Sequence, residues 1–494
     1  MEKKENRSTL AVDLDGTLIR SDTTHELLVL CARWAPFLLP LALFKLLKDR
    51  ASAKRWLVEK FGHHMDPAHL PYEESALELV RKHTEQGGEA WLVSGSDHLL
   101  VGRISNHLGM FTRYQGSEPG NNLTSSRKAA FLKEQLSGGY SYAGNSHQDI
   151  AVWKESLEGY AFRAPRNAFR LNSPDGNPVS VHEQIPREKS LRPLRKAMRL
   201  HQWAKNILVF VVPGLLLSEL TGIDMVRVVL AFICFGLMAS GTYILNDLFD
   251  IPDDRRHQTK KLRQIADGRL SVPVAAGALV TLVCGSMIGA FLLSSSFAMV
   301  LALYAIVTIA YSFRLKRLPI VDVFILAGLF SLRVWAGGEV VGAPISPWFM
   351  MFIGLVFLSL ALAKRYVEIR KTEAGGKVSG RGYQAEDAPM ILAFGSATAN
   401  AAVLALAIYG LLAPNRLIDN AFVMMVVACV VGAWFMRIWL VAVRGELNDD
   451  PVLFAVKDKI SLACLFIVGG FLGAERASGR CGLNGSELGP RPTI

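Results

Sequence analysis

Residues 246–254 read NDLFDIPDD and close an apolar run, near 226–246, long enough to cross a membrane. Asp247, Asp250 and Asp254 stand at i, i+3 and i+7, the spacing of one helix face. Three carboxylates on one face repel one another unless a cation neutralises them. Acids at a membrane edge are costly enough to point to function. Arg255, Arg256, Lys260, Lys261 and Arg263 follow at once. Acid followed by base is what Mg²⁺ and an attached diphosphate require; the plainer alternative is a solvated loop tied by salt bridges.

Outward from this stretch, residues 205–474 hold long apolar runs. We count about nine expected spans: near 206–218, 226–246, 272–294, 297–312, 320–341, 347–363, 390–412, 421–443 and 457–474. With the first span starting in the cytosol, the loops sort by charge. Those on the cytosolic side hold the bases at 255–263, Arg314, Lys316, Arg317, Lys364, Arg365, Arg370 and Lys371. The opposite loops (SELTGID, VGAPISP, APNRLIDN) are nearly free of base, the positive-inside pattern. It accounts for much of the net charge of +11 without nucleic acid. Six scattered cysteines suggest neither a zinc site nor a disulfide framework. The polar start MEKKENRST lacks the apolar core of a secretory signal.

A second patch, YSFRLKRLPIVDVFILAGLFSLRVWAGG (311–338), supplies Tyr311, Lys316, Asp322 and Arg333 at the expected cytosolic end of the fourth and fifth spans. Arg333 falls three helical turns inside a span, so it is expected to face a cavity. The order span, acidic loop, span thus occurs twice.

The first 170 residues mix charge and apolarity as soluble α/β domains do. LAVDLDGTLIRSDT (10–23) is a strand ending in Asp13 and Asp15, then a Gly-Thr turn. Carboxylates at a strand's C-terminal edge face the crevice where open α/β sheets bind ligands. AWLVSGS puts Ser94 near another strand end, SSRKAAFLKEQL puts Lys128 in a first helical turn, and YSYAGNSHQD puts Asn145 and Asp149 after a third strand. Residues 172–190 are polar and are expected to be linker. ELLVLCARWAPFLLPLALFKLL (26–47) is apolar but interrupted by Arg33, Pro36 and Pro40. It is expected to form cap helices or to dip into a membrane interface. A span there would strand Asp13 on the wrong side from Ser94, Lys128 and Asp149.

Residues 1–170 resemble the haloacid dehalogenase phosphatase superfamily, through Asp13-Leu14-Asp15-Gly16-Thr17 and the later motifs in order. The resemblance implies a Rossmannoid domain with a helical cap. In it Asp13 is the nucleophile and Asp15 the general acid/base, while Ser94 and Lys128 hold phosphoryl oxygens. Mg²⁺ is implied on Asp13, the Asp15 carbonyl and the loop of Asn145 and Asp149. Asn145 replaces the family's usual aspartate and brings no charge.

Residues 195–474, with NDLFDIPDD, resemble the UbiA-type intramembrane prenyltransferases, an all-α polytopic fold. The second aspartate pair of aromatic prenyltransferases is missing, because Leu326 follows Asp322. That departure, with LRPLRKAMRLHQWAKNILVF and AKRYVEIR, is most similar to the decaprenyl-phosphate phosphoribosyltransferase branch. The resemblance implies phosphoribosyl pyrophosphate as donor and a polyprenyl phosphate as acceptor. Asp247, Asp250 and Asp254 would hold Mg²⁺ on the diphosphate, with Asn246, Tyr311 and Asp322 nearby. Lys205, Arg255, Lys260, Arg263, Lys316 and Arg333 are the expected phosphate-binding cations. The expected organisation is a phosphatase domain (1–171), a linker (172–194), a membrane transferase (195–474) and a polar tail (475–494). Both sites are expected on the cytosolic side of a bacterial inner membrane, in a monomer or an oligomer. An aromatic prenyltransferase and a lipid transporter are the competing readings.

Overall fold

Strands of four to eight residues, apolar and buried at the centre of the sheet, build the first sheet. In the computed structural model, which describes residues 8–187, 190–372, 376, 378, 381–412, 421–447, 454 and 458–481, the chain divides into two compact units. One comprises 1–198 with 243–279, and the other 199–242 with 280–494.

The first unit holds a six-stranded parallel sheet: β1 (Thr9–Val12), β2 (Ala90–Asp97), β3 (Arg113–Ser117), β4 (Tyr140–Gly144), β5 (Glu158–Phe162) and β6 (Ser180–Ile185). The spatial order is β3-β2-β1-β4-β5-β6, so the chain reverses direction beside β1. Such a reversal opens a crevice at the strands' carboxyl ends. Leu10, Val12, Leu92 and Ala143 face one apolar core; Ala11, Trp91, Val93 and Tyr142 face the other. Between β1 and β2 lie α1 (Thr23–Trp34), α2 (Leu39–Lys48), α3 (Arg50–Phe61) and α4 (Glu74–Glu85). Asp22 and Asp49 cap α1 and α3 through their side chains. Segment 26–47 is therefore helical but broken at Ala35–Leu38, and none of its pieces is long enough to span a bilayer. After β2 come α5 (His98–Leu108), α6 (Ser126–Gln135), α7 (Ile150–Lys154) and α8 (Arg192–Ala197). The stretch expected as linker contains β6, which pairs with β5 from Glu158↔Ser180 to Phe162↔Ile185. Its side chains are mostly exposed, as an edge strand's can be, so hydrophobic pattern alone did not mark it.

The rest of the chain is helical: α9 (Val211–Leu215), α10 (Gly222–Phe249), α11 (Ile251–Arg256), α12 (Val272–Leu293), α13 (Ser295–Phe313), α14 (Val321–Val341), α15 (Pro347–Arg370), α16 (Ala388–Leu412), α17 (Ala421–Val443) and α18 (Lys459–Cys481). Among the described residues seven helices are long and apolar enough to cross a membrane, where about nine spans were expected. The expected first span is instead a 3₁₀ segment, Leu200–Phe210, running into the five-residue α9 with Pro213 and Gly214 in it. The expected last one falls on α18, of which the apolar stretch Lys459–Phe471 lies among the described residues. Lys364, Arg365 and Arg370, expected in a loop, belong to α15, and Arg365 is fully buried. The loop 413–420 and the tail beyond 481 lie outside the described residues.

Candidate active sites

Gly16 is the residue that lets the first site close. Its φ is +76°, and a Cβ there would meet the Asn145 amide nitrogen at 2.0 Å. Only glycine lets the turn after β1 and the loop after β4 approach this closely. Lys128, in the first turn of α6, reaches Asp13 Oδ1 at 2.8 Å and the Tyr142 hydroxyl at 2.9 Å. The Tyr142 hydroxyl donates to Asp149 Oδ1 at 2.6 Å. Asp149 Oδ2 accepts from the backbone N–H groups of Asn145 and Ser146 and from Ser146 Oγ. Asp149 therefore fastens the loop that carries Asn145.

Electrostatics separates the carboxyls. Burial raises Asp13 to about 6 against the pull of Lys128. Burial also raises Asp15, helped by the charge of Asp22, to about 7. Burial acts on Asp149 too, but the Lys128 ammonium, Tyr142 and the backbone donors outweigh it and hold Asp149 below the usual range. Lys128 is raised: its burial is overcome by Asp13 and Asp149. The site thus contains two raised carboxyls, Asp13 and Asp15, beside Asp149, a carboxylate held ionised by a cation. That is the division of labour acid/base catalysis needs.

Three participants were not anticipated. Ser96 Oγ donates to Asp15 Oδ2, and Thr23 donates to the same carboxyl through its N–H at 2.8 Å. Ser94, the expected ligand, is fully buried and its hydroxyl accepts from the Ser96 N–H at 3.1 Å. Lys54 of α3 reaches the Gly95 carbonyl at 2.5 Å. Ser96 sits inside the quoted stretch AWLVSGS and Thr23 closes LAVDLDGTLIRSDT, while nothing local marks Lys54. An oxygen donor set of Asp13, the Asp15 carbonyl and Asn145 suits a hard divalent cation.

The acidic stretch after α10 belongs to the same unit. Its helix is interrupted: α10 ends at Phe249 and α11 starts at Ile251, because Pro252 has no N–H to donate to the Leu248 carbonyl one turn back. The acids still gather. Arg263 Nη1 donates to Asp247 at 3.1 Å and to both oxygens of Asp254, at 3.0 and 2.8 Å. Burial raises Asp254 to about 6, with Arg263 opposing. Asn246 donates to Asp250 at 2.9 Å. Asp247 and Asp254 already converge on one cationic group, which fits a site for positive charge. Among the described residues, however, no cluster of three acidic, histidine or cysteine side chains forms a ready metal cage in either site.

Arg255 lies elsewhere than the phosphate-binding expectation places it. It is buried, donates to both oxygens of Glu26 on α1 at 2.8 and 2.5 Å, and binds the Ala266 carbonyl at 2.8 Å. Arg20 reaches Asp267 at 2.6 Å in the same region. Lys260 is exposed on a 3₁₀ turn.

In the second unit, Asp322 is fully buried, accepts from the Tyr383 hydroxyl at 2.6 Å and Arg381 at 3.3 Å, and is ion-paired with Arg365, whose Nε lies 2.8 Å away. Arg381 also reaches the Tyr311 hydroxyl at 2.6 Å, and the Lys316 carbonyl lies beside it. Ile320, just before α14, has φ +68°, strained for a β-branched residue, and its N–H is held by the Tyr383 hydroxyl at 2.7 Å. Arg333 is buried on Asn206 at 2.9 Å, the Leu329 carbonyl at 2.5 Å and the Tyr304 hydroxyl at 3.0 Å. Lys205 is half-buried next to Asn206 in sequence.

The profile of the UbiA prenyltransferase family matches residues 207–462, and that of haloacid dehalogenase-like hydrolases matches 10–154. The chain belongs to the UbiA prenyltransferase family and carries an N-terminal haloacid dehalogenase-like domain. It is similar to the uncharacterized protein y4nM of Sinorhizobium fredii, 36% identical over 465 residues, 92% of this chain and 89% of that one. It is also similar to decaprenyl-phosphate phosphoribosyltransferase of Mycobacterium tuberculosis, 30% identical over 279 residues, 54% of this chain and 88% of that one. Nodulation protein NoeC of Azorhizobium caulinodans is 30% identical over 282 residues, 55% of this chain and 89% of that one. A solved UbiA homologue from Archaeoglobus fulgidus, bound to GPP and Mg²⁺, overlaps 58% of this chain and 98% of its own at a TM-score of 0.44 and 17% identity. The chain is an integral membrane protein.

Proposed function

We propose that this chain transfers 5-phosphoribose from phosphoribosyl pyrophosphate to a polyprenyl phosphate and then removes the 5-phosphate with its N-terminal domain. The observation that carries this reading is one compact unit holding both Asp13–Lys128 and the Asp247–Arg263 loop, joined by the buried Arg255–Glu26 pair. The 30% identity to a decaprenyl-phosphate phosphoribosyltransferase and the Leu at 326 support the choice of substrates over an aromatic acceptor.

In the transferase step an oxygen of the lipid phosphate attacks the ribose anomeric carbon as the bond from that carbon to the diphosphate oxygen breaks. Asp247, Asp250 and Asp254 would hold Mg²⁺, which when bound neutralises the diphosphate. Arg263 and Lys260 are the nearby cations for its oxygens. Positioning and charge neutralisation supply most of the rate in such a displacement. In the phosphatase step an Asp13 oxygen attacks phosphorus while Asp15 gives its proton to the departing ribose 5-oxygen. Water then attacks the aspartyl phosphate and returns a proton to Asp15, freeing inorganic phosphate. Lys128 and Ser94 would hold the phosphoryl oxygens, and Asp13, the Asp15 carbonyl and Asn145 would hold Mg²⁺. The sites are proposed to face the cytosol of a bacterial inner membrane.

Purified full-length protein supplied with ribose-labelled phosphoribosyl pyrophosphate and a polyprenyl phosphate tests this. The expected lipid carries ribose without its 5-phosphate. Prenyl transfer from a polyprenyl diphosphate to an aromatic acceptor, with no ribosylation, would overturn the reading.

A further inference from the structure

The haloacid dehalogenase-like domain exposes a run of large apolar side chains between Trp34 and Leu47, while its other exposed ones, such as Leu99 and Leu157, are scattered in sequence. Trp34 (54% exposed), Phe37 (78%), Phe44 (63%) and Leu47 (88%) cluster in sequence with the exposed Leu41 and Leu43. On α2 the inward residues are Ala42, Leu39 and Leu46, which pack into the domain core. Leu43, Phe44 and Leu47 occupy the opposite face, because i, i+1 and i+4 fall within about a third of a turn. Lys48 and Arg50 are exposed at the end of this face. A core-packing helix needs only its inner stripe apolar, so a second apolar stripe needs another solvent.

The place of this stripe in the fold says which solvent. Arg33, at the end of α1, donates to the Phe249 carbonyl at 2.6 Å and to Asp253 at 2.8 Å. Phe249 is the last residue of α10, a helix long and apolar enough to cross a membrane. Its end, followed by the charged 250–263 loop, marks the boundary between bilayer and water. Arg33 thus fastens the start of the apolar segment to that boundary, and its guanidinium stacks 4.9 Å from the Trp34 ring. Tryptophan, phenylalanine and leucine on one side with lysine and arginine at the rim form the composition of a helix lying in a lipid interface.

We propose that Trp34–Lys48 is a lipid-docking surface, with Phe37, Phe44 and Leu47 immersed among the upper acyl chains and Lys48 and Arg50 at the headgroups. This goes beyond the proposed function and does not depend on its substrates. A domain held in this way keeps its crevice beside the bilayer, where a lipid-borne phosphate ester arrives by lateral diffusion.

The test uses the full chain in vesicles of phosphatidylcholine and phosphatidylglycerol. Single-cysteine variants Phe37→Cys and Leu47→Cys carry an environment-sensitive fluorophore, with Lys82→Cys on α4 as the exposed control, in a background lacking all six native cysteines. Labels at 37 and 47 are expected to emit to the blue and to be quenched by lipids bearing a nitroxide at a depth of ~5–10 Å. The label at 82 should do neither. Phe44→Ser with Leu47→Ser should return the label at 37 to the unquenched, water-exposed state. Water-like emission at 37 and 47 overturns the proposal. So does blue emission that lipid nitroxides do not quench, which would mean a second protein surface covers the segment.

Discussion

The two acidic centres solve one problem in different ways. In the sheet domain, Asp13 and Asp149 share Lys128, a side chain only 4% exposed that is planted in the first turn of a helix. At the end of α10 and in α11, Asp247 and Asp254 share Arg263, which is 25% exposed and follows α11 in the chain. The first cation is held by the sheet and by Tyr142; the second is held mainly by the acids it neutralises. A centre of the first kind is pre-organised. One of the second kind would, on the proposed function, exchange its cation for a metal–diphosphate, since a partly exposed guanidinium on a loop is free to move.

The sharpest test of that contrast is Asp13→Asn, which keeps the shape and removes the nucleophile. Hydrolysis of a phosphomonoester should fall ~10³-fold or more. Ribosylated lipid should still form and should accumulate one phosphate heavier by mass spectrometry. Identical lipid from variant and parent would separate the domain from this product.

Glu26→Gln probes the tie between the centres. It leaves the Arg255 charge buried without its partner, a loss of ~3–5 kcal/mol in comparable pairs. The thermal unfolding midpoint of the full chain should drop clearly, and Glu26→Leu combined with Arg255→Met should recover most of it. If Arg255 instead served the diphosphate, the double variant would be stable but inactive in transfer.

Asp250→Ala is the mirror of the first variant. Phosphoribosyl transfer should fall ~10²-fold or more, as expected when a metal site loses a ligand. Phosphomonoester hydrolysis should persist. Loss of both activities would show that the loop and the sheet domain fail together and are not independent centres.

Lys54→Met has the smallest expected effect. Lys54 ends at the Gly95 carbonyl beside Ser94 and Ser96. Removing a charge-assisted contact to a phosphoryl group should raise KM about tenfold while kcat changes less. An unchanged KM would make Lys54 a tie between cap and sheet only.

Much of this was legible in sequence because it is local. Asp13-x-Asp15-Gly16-Thr17 is a strand followed by a turn, and β1 with Gly16 at φ +76° is what those residues form. The alternation of long apolar runs with basic loops announced a polytopic membrane half, since a helix in lipid must satisfy its own backbone. Partners distant in sequence were not legible. Arg255 stands in a run of bases suited to phosphate, yet Glu26, 229 residues earlier, neutralises it, and nothing near either residue signals the other. Arg365 looked like the base of a loop until Asp322 drew it into a buried pair. Ser96 and Tyr142 bear on the carboxyls of the first site only because adjacent parallel strands set their ends side by side. The identity of the reactive groups is written in short motifs, because local turns and strand ends need only neighbouring residues. Which charge neutralises which is a matter of long-range packing, since a buried charge must find its counter-ion wherever the fold brings one.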